Sequence, residues 1–315
     1  MHNHPRLSAL LLAAVFALLL LYPDTAAQGV RDALTLSAQV LAPSLLPFFV
    51  CSDLFVRLGL CARLSSRLRR PAAVLLRLPP AAAGALMLGL IGGYPAGAQA
   101  VGQLYARGEL SQPEAERAAA ICNQAGPSFL FGVLGGAVFH STGLGLLLFA
   151  AQLLSVLLLC RLTGKKIPRC ALPTRSFPAP PPFGAAFSAS VKTAGRSFLH
   201  VCMFVTVFCV AGKFLLPVFG WLPAALQPLL LGVLELSGGC AALQTSSLPL
   251  LWQLVLASGL VCFGGLCVLA QSRAALGEYG LSVRFLLPYK IFQAIVSASV
   301  TFLLAFPFRN DFPVS

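Results

Sequence analysis

Charged residues are scarce in this chain. They make up 10% of its 315 residues, and only nine side chains are acidic. A soluble domain carries roughly a quarter charged residues. Hydrophobic residues account for 58% of the sequence, and the mean hydropathy is +0.86. This composition leaves no room for a sizeable soluble domain and predicts a membrane protein.

The usual signatures of an enzyme are also missing. The sequence contains no H-E-x-x-H, no G-x-S-x-G and no glycine-rich phosphate loop. Two of its four histidines are His2 and His4, near the first residue. The ten cysteines form no C-x-x-C pair, and most lie in apolar segments, where cysteine behaves as a small hydrophobe. We therefore expect no catalytic residues, disulfides, metal site or cofactor.

Apolar segments long enough to cross a bilayer recur along the whole chain. The strands of an outer-membrane barrel would instead alternate in polarity over short segments. Eight apolar segments follow a first run at Leu7–Leu21, at 35–56, 81–104, 117–139, 142–162, 196–217, 222–244, 248–271 and 284–306. The sequence predicts an all-α, multi-pass membrane protein that contacts the lipid bilayer.

The first apolar run has two interpretations. Arg6 precedes it, and Thr25-Ala26-Ala27 resembles a cleavage site, which is typical of a signal peptide. The alternative is a retained transmembrane helix in residues 1–30. We favour the retained helix because the rest of the chain is itself embedded in the membrane.

The net charge of +13 does not indicate a nucleic-acid partner. The basic residues lie in short loops between apolar segments, where they set topology by the positive-inside rule. The aromatic and basic stripes of nucleic-acid readers are absent from the sequence. We therefore expect no nucleic-acid binding.

A stretch rich in proline and basic residues divides the chain into two halves of four segments each. It includes the run Pro180-Pro181-Pro182 and is typical of a stiff linker. Glycines at matching places in the second and third segments of each half indicate an internal duplication. The predicted units after the first helix are a repeat at 31–163, a cytoplasmic linker at 164–190, a second repeat at 191–307 and a tail at 308–315.

Loop charge predicts how the two repeats are oriented. The loop after segment 35–56 is strongly basic, and so is the linker, so both should be cytoplasmic. Three apolar segments separate them, so one must enter and leave on the same side. The segment at 81–104, broken by Gly92-Gly93-Tyr94-Pro95, is the candidate. The same rule makes 222–244 re-entrant from the other side, which gives inverted repeats with a substrate site at their interface.

The first break is a candidate solute site. Irregular backbone at membrane depth is tolerated only where protein buries it or where it lines a polar cavity. Gly93, Tyr94 and Pro95 are therefore predicted to bind substrate. Tyr94 is either a stacking surface for an aromatic solute or a phenol at the membrane interface.

A second break is predicted in segment 117–139. Pro127 leaves the carbonyl near Asn123 without its helical partner. Asn123, Gln124 and Ser128 supply polar groups beside Gly126 and Pro127. A half-helix that begins near Pro127 would direct free N–H groups at an anion. A simple proline kink is the alternative, but two amides beside a break exceed what a kink needs.

Glu235 is the one acidic residue within an apolar segment of the second half. Burying a charge at the centre of a membrane helix costs about 2.5–3.5 kcal/mol. We predict that Glu235 couples a proton or a cation and that Ser237 and Gly238 contact the solute. A hydrogen-bonded structural acid is the alternative. Gln99 and Gln244 are expected to form interhelical hydrogen bonds rather than to line a pore.

Together these motifs resemble a known family, the sporulation integral membrane proteins of the YlbJ type, with a nucleoside-recognition (Gate) domain. The stretches that carry the resemblance are 42–49, 92–98, 114–117, 122–129, 234–239 and 263–266. The family pattern has two asparagines where this chain has Asn123-Gln124. The resemblance implies a Gate-type fold and a role in spore formation, with movement of a small solute such as dipicolinate.

These observations predict a transporter or facilitator for a small polar, anionic or aromatic solute. The expected location is the bacterial inner membrane, or the outer forespore membrane. A non-transporting scaffold that assembles membrane partners during sporulation is the alternative, and it would depend on the linker rather than on the breaks. Homo-oligomers and sporulation partners both remain open.

Overall fold

The computed structural model describes residues 5–60, 76–163, 181–221 and 223–308. These residues form helices and connecting loops, and none of them lies in a strand. The predicted all-α class is confirmed. We number the α-helices α1 to α13 and the two longer π-helical segments π1 and π2. In chain order they are α1 Pro5–Leu21, α2 Pro23–Leu36, π1 Ser37–Leu41, α3 Ala42–Arg57, α4 Pro80–Gly92, α5 Ala96–Ala106, α6 Gln112–Cys122, π2 Ser128–Val138, α7 Thr142–Thr163, α8 Phe183–Leu215, α9 Gln227–Leu234, α10 Leu236–Gln244, α11 Leu250–Phe263, α12 Gly265–Gly277 and α13 Leu286–Ala305.

Within the described ranges, five helical stretches are long and apolar enough to cross a membrane. They are Pro23–Arg57, Thr142–Thr163, Phe183–Phe219, Leu250–Gly277 and Leu286–Ala305. The multi-pass prediction is thus confirmed. The first stretch joins α2, π1 and α3 into one helix. Other apolar helices, such as α4 and π2, are too short to span a bilayer and belong to segments that the chain interrupts.

The first long helix of each half packs against the other in antiparallel orientation. Near the start of the α2–α3 helix, Asp32 pairs with Lys213 near the end of α8, with 2.5 Å between the charged atoms. At the other end of the α2–α3 helix, Arg57 donates from Nη2 to Thr193 Oγ1 in the first part of α8, at 2.9 Å. The two helices therefore run in opposite directions, as an inverted repeat requires.

The last helix of each half shows the same relationship. Gln293 on α13 donates to the hydroxyl of Ser155 on α7, at 3.3 Å. Nearer the start of α7, Leu147 packs against the same hydrophobic cluster as Phe302, near the end of α13, and this cluster includes Ala305. Since low numbers on one helix meet high numbers on the other, α7 and α13 are also antiparallel.

One end of the bundle collects basic residues, and we call it the basic end. Here Arg77 donates from Nη1 to the carbonyl of Arg161, at 3.0 Å. Arg117 lies near the carbonyl of Arg77, and Arg284 pairs with Glu116 at 3.0 Å. The α4–α5 hairpin starts just after Arg77 and is followed by α6, which carries Arg117. It therefore enters and leaves at the basic end.

The α9–α10 hairpin belongs to the opposite end. Gln244, the last residue of α10, lies 3.0 Å from the Nε2 atom of His140, in the turn between π2 and α7. Helix α8 begins at the basic end and finishes beside Asp32, so α9 also starts from the opposite end. The two hairpins thus dip into the bundle from opposite directions.

Contacts between the halves are reciprocal. Helix α5 packs against α12, and its counterpart α10 packs against π2. Helix α6 packs against α13, and its counterpart α11 packs against α7. These elements of one half therefore pack against elements of the other half, and they join the two halves in one core.

Helix α8 extends further than the apolar pattern indicated. It begins at Phe183, inside the predicted linker 164–190, directly after the proline run. Pro182 is its N-cap, and the residues that follow are mostly small or apolar, so nothing stops the helix before Leu215. The remainder of the predicted linker, residues 164–180, lies outside the described residues.

Candidate functional site at four helix breaks

Four helix breaks occur in the described parts of the re-entrant and broken segments. The first lies between α4 and α5, where Gly93 has a φ of 77°, a conformation that favours glycine. The second spans residues 123–127, before π2. The third is the extended residue Glu235 between α9 and α10, and the fourth is Gly264, with a φ of 86°, between α11 and α12. Each half contributes two breaks.

The two breaks of each half lie against one another. A Cβ built on Gly126 would lie 2.9 Å from the backbone nitrogen of Gly93. The backbone of the first break is therefore in direct contact with the backbone of the second. In the second half, a Cβ on Gly265 would lie 2.9 Å from the carbonyl oxygen of Gly232 and 3.3 Å from the nitrogen of Leu236. Glycine is required at these positions because any side chain would separate the breaks.

Tyr94 joins the breaks of the two halves. Its hydroxyl donates to the carbonyl of Val261, on the last turn of α11, at 2.8 Å. A Cβ on Gly264 would lie 3.6 Å from the Tyr94 ring. The phenol is therefore partly buried inside the protein and hydrogen-bonded across the repeat interface.

A small cavity, the central cavity, lies where the breaks meet. Its volume is about 50 Å³. It is lined by six of the predicted site residues, Gly93, Tyr94, Gly126, Ser128, Glu235 and Ser237. Gln271 of α12 adds a further polar side chain. The structure therefore gathers six of the eleven predicted residues, from both halves, around one cavity, whose wall also includes apolar side chains such as Leu45, Phe129 and Val205.

Glu235 caps the helix that follows it. One carboxylate oxygen accepts from the Ser237 N–H at 2.9 Å, and the other accepts from the Gly238 N–H at 2.6 Å. The side chain is only 5% exposed. A carboxylate at this position satisfies free N–H groups and opposes the positive end of the helix dipole. Glu235 thus has a structural role in α10 and also faces the central cavity.

Asn123 and Gln124 are fully buried and bind other parts of the protein. Asn123 donates from Nδ2 to the Ser272 hydroxyl of α12 at 2.6 Å. Gln124 donates to the Ile121 carbonyl at 2.7 Å and accepts from Gln293 at 2.7 Å. Neither residue lines the central cavity, nor does Pro95, Pro127 or Gly238. Their contact with a solute stays a prediction.

Lys290 is a site residue that the sequence argument missed. Its side chain is 1% exposed, on α13. The ammonium donates to the carbonyl of Asn123 and to Oε1 of Gln293, and it lies 5.2 Å from the centre of the Tyr94 ring. No carboxylate of the described residues pairs with it. The sequence alone could have identified Lys290. A lysine inside an apolar membrane segment is energetically costly and therefore indicates a functional role.

Buried side chains satisfy alternate carbonyls of the second break. Gln124 donates to Ile121, Lys290 donates to Asn123, and Gln152 of α7 donates to Ala125 at 2.9 Å. Unwound backbone at membrane depth has no water to bond, so each carbonyl needs such a donor. The break is therefore held in place by the last helices of both halves.

A second, larger cavity, the vestibule, lies between α3, the α4–α5 hairpin and α8. Its volume is about 240 Å³. Polar groups on its walls include Ser52, Asp53, Gln99, Gln103, Thr193, Ser197 and His200. Gln99 thus lines a cavity, contrary to the expectation of an interhelical hydrogen bond, because α5, α3 and α8 leave open space at this position. Among the described residues, no cluster of three or more metal-ligating side chains is found.

Comparison with known proteins supports the resemblance inferred from the motifs. The chain is 26% identical to the sporulation integral membrane protein YlbJ of Bacillus subtilis (strain 168), over 96% of this chain and 84% of the relative. No family model matches the chain. No solved structure matches it either. The resemblance to the YlbJ type is therefore confirmed along nearly the whole chain, whereas the Gate domain stays a prediction.

Proposed function

From its full-length similarity to a sporulation integral membrane protein, we propose that this chain is a membrane protein of spore formation that carries a small polar solute. One observation carries the transport part of this proposal. Four helix breaks, two from each half, converge on the central cavity. Interrupted helices are costly in a membrane, and in transporters they form the substrate and ion sites.

The arrangement of the two halves supports the same function. Their first helices and their last helices pack in antiparallel pairs, and the two hairpins enter from opposite ends. In secondary transporters of this type, one repeat moves against the other around a fixed central site. The reciprocal contacts of α5 with α12 and of α10 with π2 support an interface at the breaks.

The size of the central cavity limits what it holds in this conformation. A volume of about 50 Å³ accommodates water or a small ion but not an organic solute. An organic solute would therefore pass only when the halves move apart at the breaks. The conformation described here is closed at its centre.

We assign Glu235 to coupling with a proton or a monovalent cation. Its carboxylate faces the central cavity together with the hydroxyls of Ser128 and Ser237, and these are oxygen ligands suited to such an ion. When both carboxylate oxygens accept from backbone N–H groups, the side chain is fixed in one position. The ion would therefore meet a preformed site.

The proposed solute is a small anionic, aromatic molecule similar to dipicolinate. The excess of basic side chains at the basic end would concentrate anions there. Phe49 and Tyr94 supply aromatic surfaces beside the two cavities. The similarity to a sporulation protein agrees with a solute that accumulates in spores.

Flux through the purified protein in proteoliposomes tests the proposal. Dipicolinate, benzoate and a nucleoside form a suitable panel of solutes. We expect the substitutions Glu235→Gln and Ser128→Ala each to lower the flux of an accepted solute by about tenfold, which is about 1.4 kcal/mol. The matched control is Glu278→Gln, which removes an exposed acid at the basic end.

Unchanged flux of an accepted solute in both Glu235→Gln and Asn123→Ala would refute the assignment of the breaks as its site. Absence of flux of every solute through the unaltered protein would refute the transport proposal itself. The scaffold interpretation would then remain, and it predicts that changes in the linker 164–182 disturb complex assembly. Scoring assembly and solute accumulation in the same variants separates these two functions.

A further inference from the structure

The vestibule is not part of the site assigned above, yet it adjoins the first helix break and is larger than the central cavity. Each of three helices contributes one polar face to it. Helix α5 presents Gln99 and Gln103, one turn apart, and α8 presents Thr193, Ser197 and His200 over two turns. Helix α3 adds Ser52, whose hydroxyl donates to the Ile91 carbonyl at 3.0 Å.

Contact with lipid would be unfavourable for these three polar faces. Amide, hydroxyl and imidazole groups in apolar segments are costly unless they bond to protein or line a water-filled cavity. The side chains of Gln99, Gln103, Ser197 and His200 are exposed. The three faces therefore surround water or a ligand rather than hydrocarbon.

The vestibule extends toward the basic end, where α8 begins. On this side the Arg57 guanidinium pairs with Asp53 at 2.5 Å and bonds to Thr193 at 2.9 Å, and both of these partners lie on the vestibule wall. Asp53 is the one acid that the described residues place on the vestibule wall, and the pair neutralises it. The remaining wall offers amide and hydroxyl donors, so it suits a molecule that carries hydrogen-bond acceptors.

A single layer of side chains separates the vestibule from the central cavity. Three side chains, Phe49, Tyr94 and Val201, line both the vestibule and the central cavity. Tyr94 is held there by its hydrogen bond to Val261 and by the ammonium of Lys290 over its ring. A solute that moves from one cavity to the other must displace this partition.

We infer that the vestibule is an entry site for a small organic anion at the basic end, and that Tyr94, with Phe49 and Val201, closes it from the central cavity. The inference deepens the proposed transport function and rests on it. Its volume of about 240 Å³ lies just below the ~300–1,000 Å³ of cavities that hold drug-sized ligands. The ligand is therefore a small, single-ring molecule, whose ring the faces of Phe49 and Tyr94 would contact.

Cysteine accessibility tests the position and the opening of the vestibule. The substitutions Ser197→Cys and Gln103→Cys are labelled with a membrane-impermeant thiol reagent from the basic end in sealed vesicles. Modification is read for each peptide by mass spectrometry, so the native cysteines stay in place. The matched control is Val207→Cys on the same helix, a position that is 65% exposed but lines neither cavity.

We expect both vestibule positions to react about tenfold faster than the control, because modification requires a hydrated thiolate. We expect Ser237→Cys, in the central cavity, to react slowly from this side and about tenfold faster when Tyr94→Ala is added. Equal rates at the vestibule and control positions would overturn the inference. So would a rate at Ser237→Cys that does not change with Tyr94→Ala.

The ligand is tested separately from flux. Benzoate or dipicolinate should protect Ser197→Cys from the reagent, and Gln103→Leu should raise the KM for flux while leaving kcat unchanged. Absence of protection by either acid would overturn the entry role even if flux is measured. Protection without any flux supports the vestibule as a binding site and refutes the transport proposal instead. Gel filtration of each variant confirms that it is folded.

Discussion

The ammonium of Lys290, on the last transmembrane helix, donates a hydrogen bond to the backbone carbonyl of Asn123, in the second helix break. In an uninterrupted helix this carbonyl would accept from the N–H four residues later. That residue is Pro127, which has no N–H. The lysine thus replaces the donor that the proline lacks, and it does so from the other half of the protein.

Removing this donor should destabilise the protein. We expect Lys290→Met to lower the free energy of unfolding by about 1–2 kcal/mol, because a buried carbonyl then loses its partner. Thermal unfolding in detergent measures the change. Lys213→Met is the control, since its ion pair with Asp32 is partly exposed and such pairs contribute about 0–1 kcal/mol. A Lys290→Met protein as stable as the parent would contradict this interpretation.

The cap made by Glu235 predicts a graded series of substitutions. Glu235→Ala removes both acceptors of the α10 N-terminus and should cost about 0.5–2 kcal/mol of stability. Glu235→Gln keeps one acceptor and should cost less. Chemical or thermal unfolding of the two variants gives the order. If Glu235→Gln loses flux while it stays the more stable of the two, its effect on transport is not a consequence of unfolding.

A side chain in place of Gly97 should cause a severe steric clash. A Cβ at this position would lie 2.0 Å from the carbonyl oxygen of Cys122, a distance that the backbone cannot accept. Gly97→Ala should therefore destabilise the protein by about 3 kcal/mol or more, since overpacking forces the α5 and α6 backbones apart. The control is Gly195→Ala on α8, where a Cβ meets no atom within 4 Å. That substitution should be neutral or slightly stabilising, and melting temperatures compare the two.

The sidedness of the two basic loops is directly testable. The contact between Arg77 and the Arg161 carbonyl places the ends of both loops together. Cysteines introduced by Arg69→Cys and Lys165→Cys should therefore react with an impermeant maleimide from the same side of the membrane. His140→Cys should react from the other side. Labelling of Arg69→Cys and Lys165→Cys from different sides would invalidate the inverted arrangement.

Much of this architecture was predictable from residue types alone. Apolar segments and loop charge predicted the helices and the hairpin that returns to the basic end. Gly93, Pro127 and Glu235 mark three of the four breaks because each has a local reason to interrupt a helix: a left-handed glycine, a missing N–H and an N-cap carboxylate. Breaks of this kind can be predicted because their cause lies in the residues at the break itself.

Features that depend on distant contacts were not predictable in this way. Asn123 and Gln124 offered free amides in the sequence, but Ser272 and Gln293, more than a hundred positions away, take up much of their bonding capacity. The vestibule consists of faces from three separate helices. The start of α8 was missed because apolar content, rather than the end of the proline run, set the predicted boundary.

Each half depends on the other half for some of its buried contacts. The carbonyl at the second break stays without its lysine donor until α13 is in place, and α3 lacks its main partner until α8 has been inserted. Until α13 is inserted, the Asn123 carbonyl lacks the donor that it has in the structure. We therefore expect the core around the second break to close only after α13 is in place.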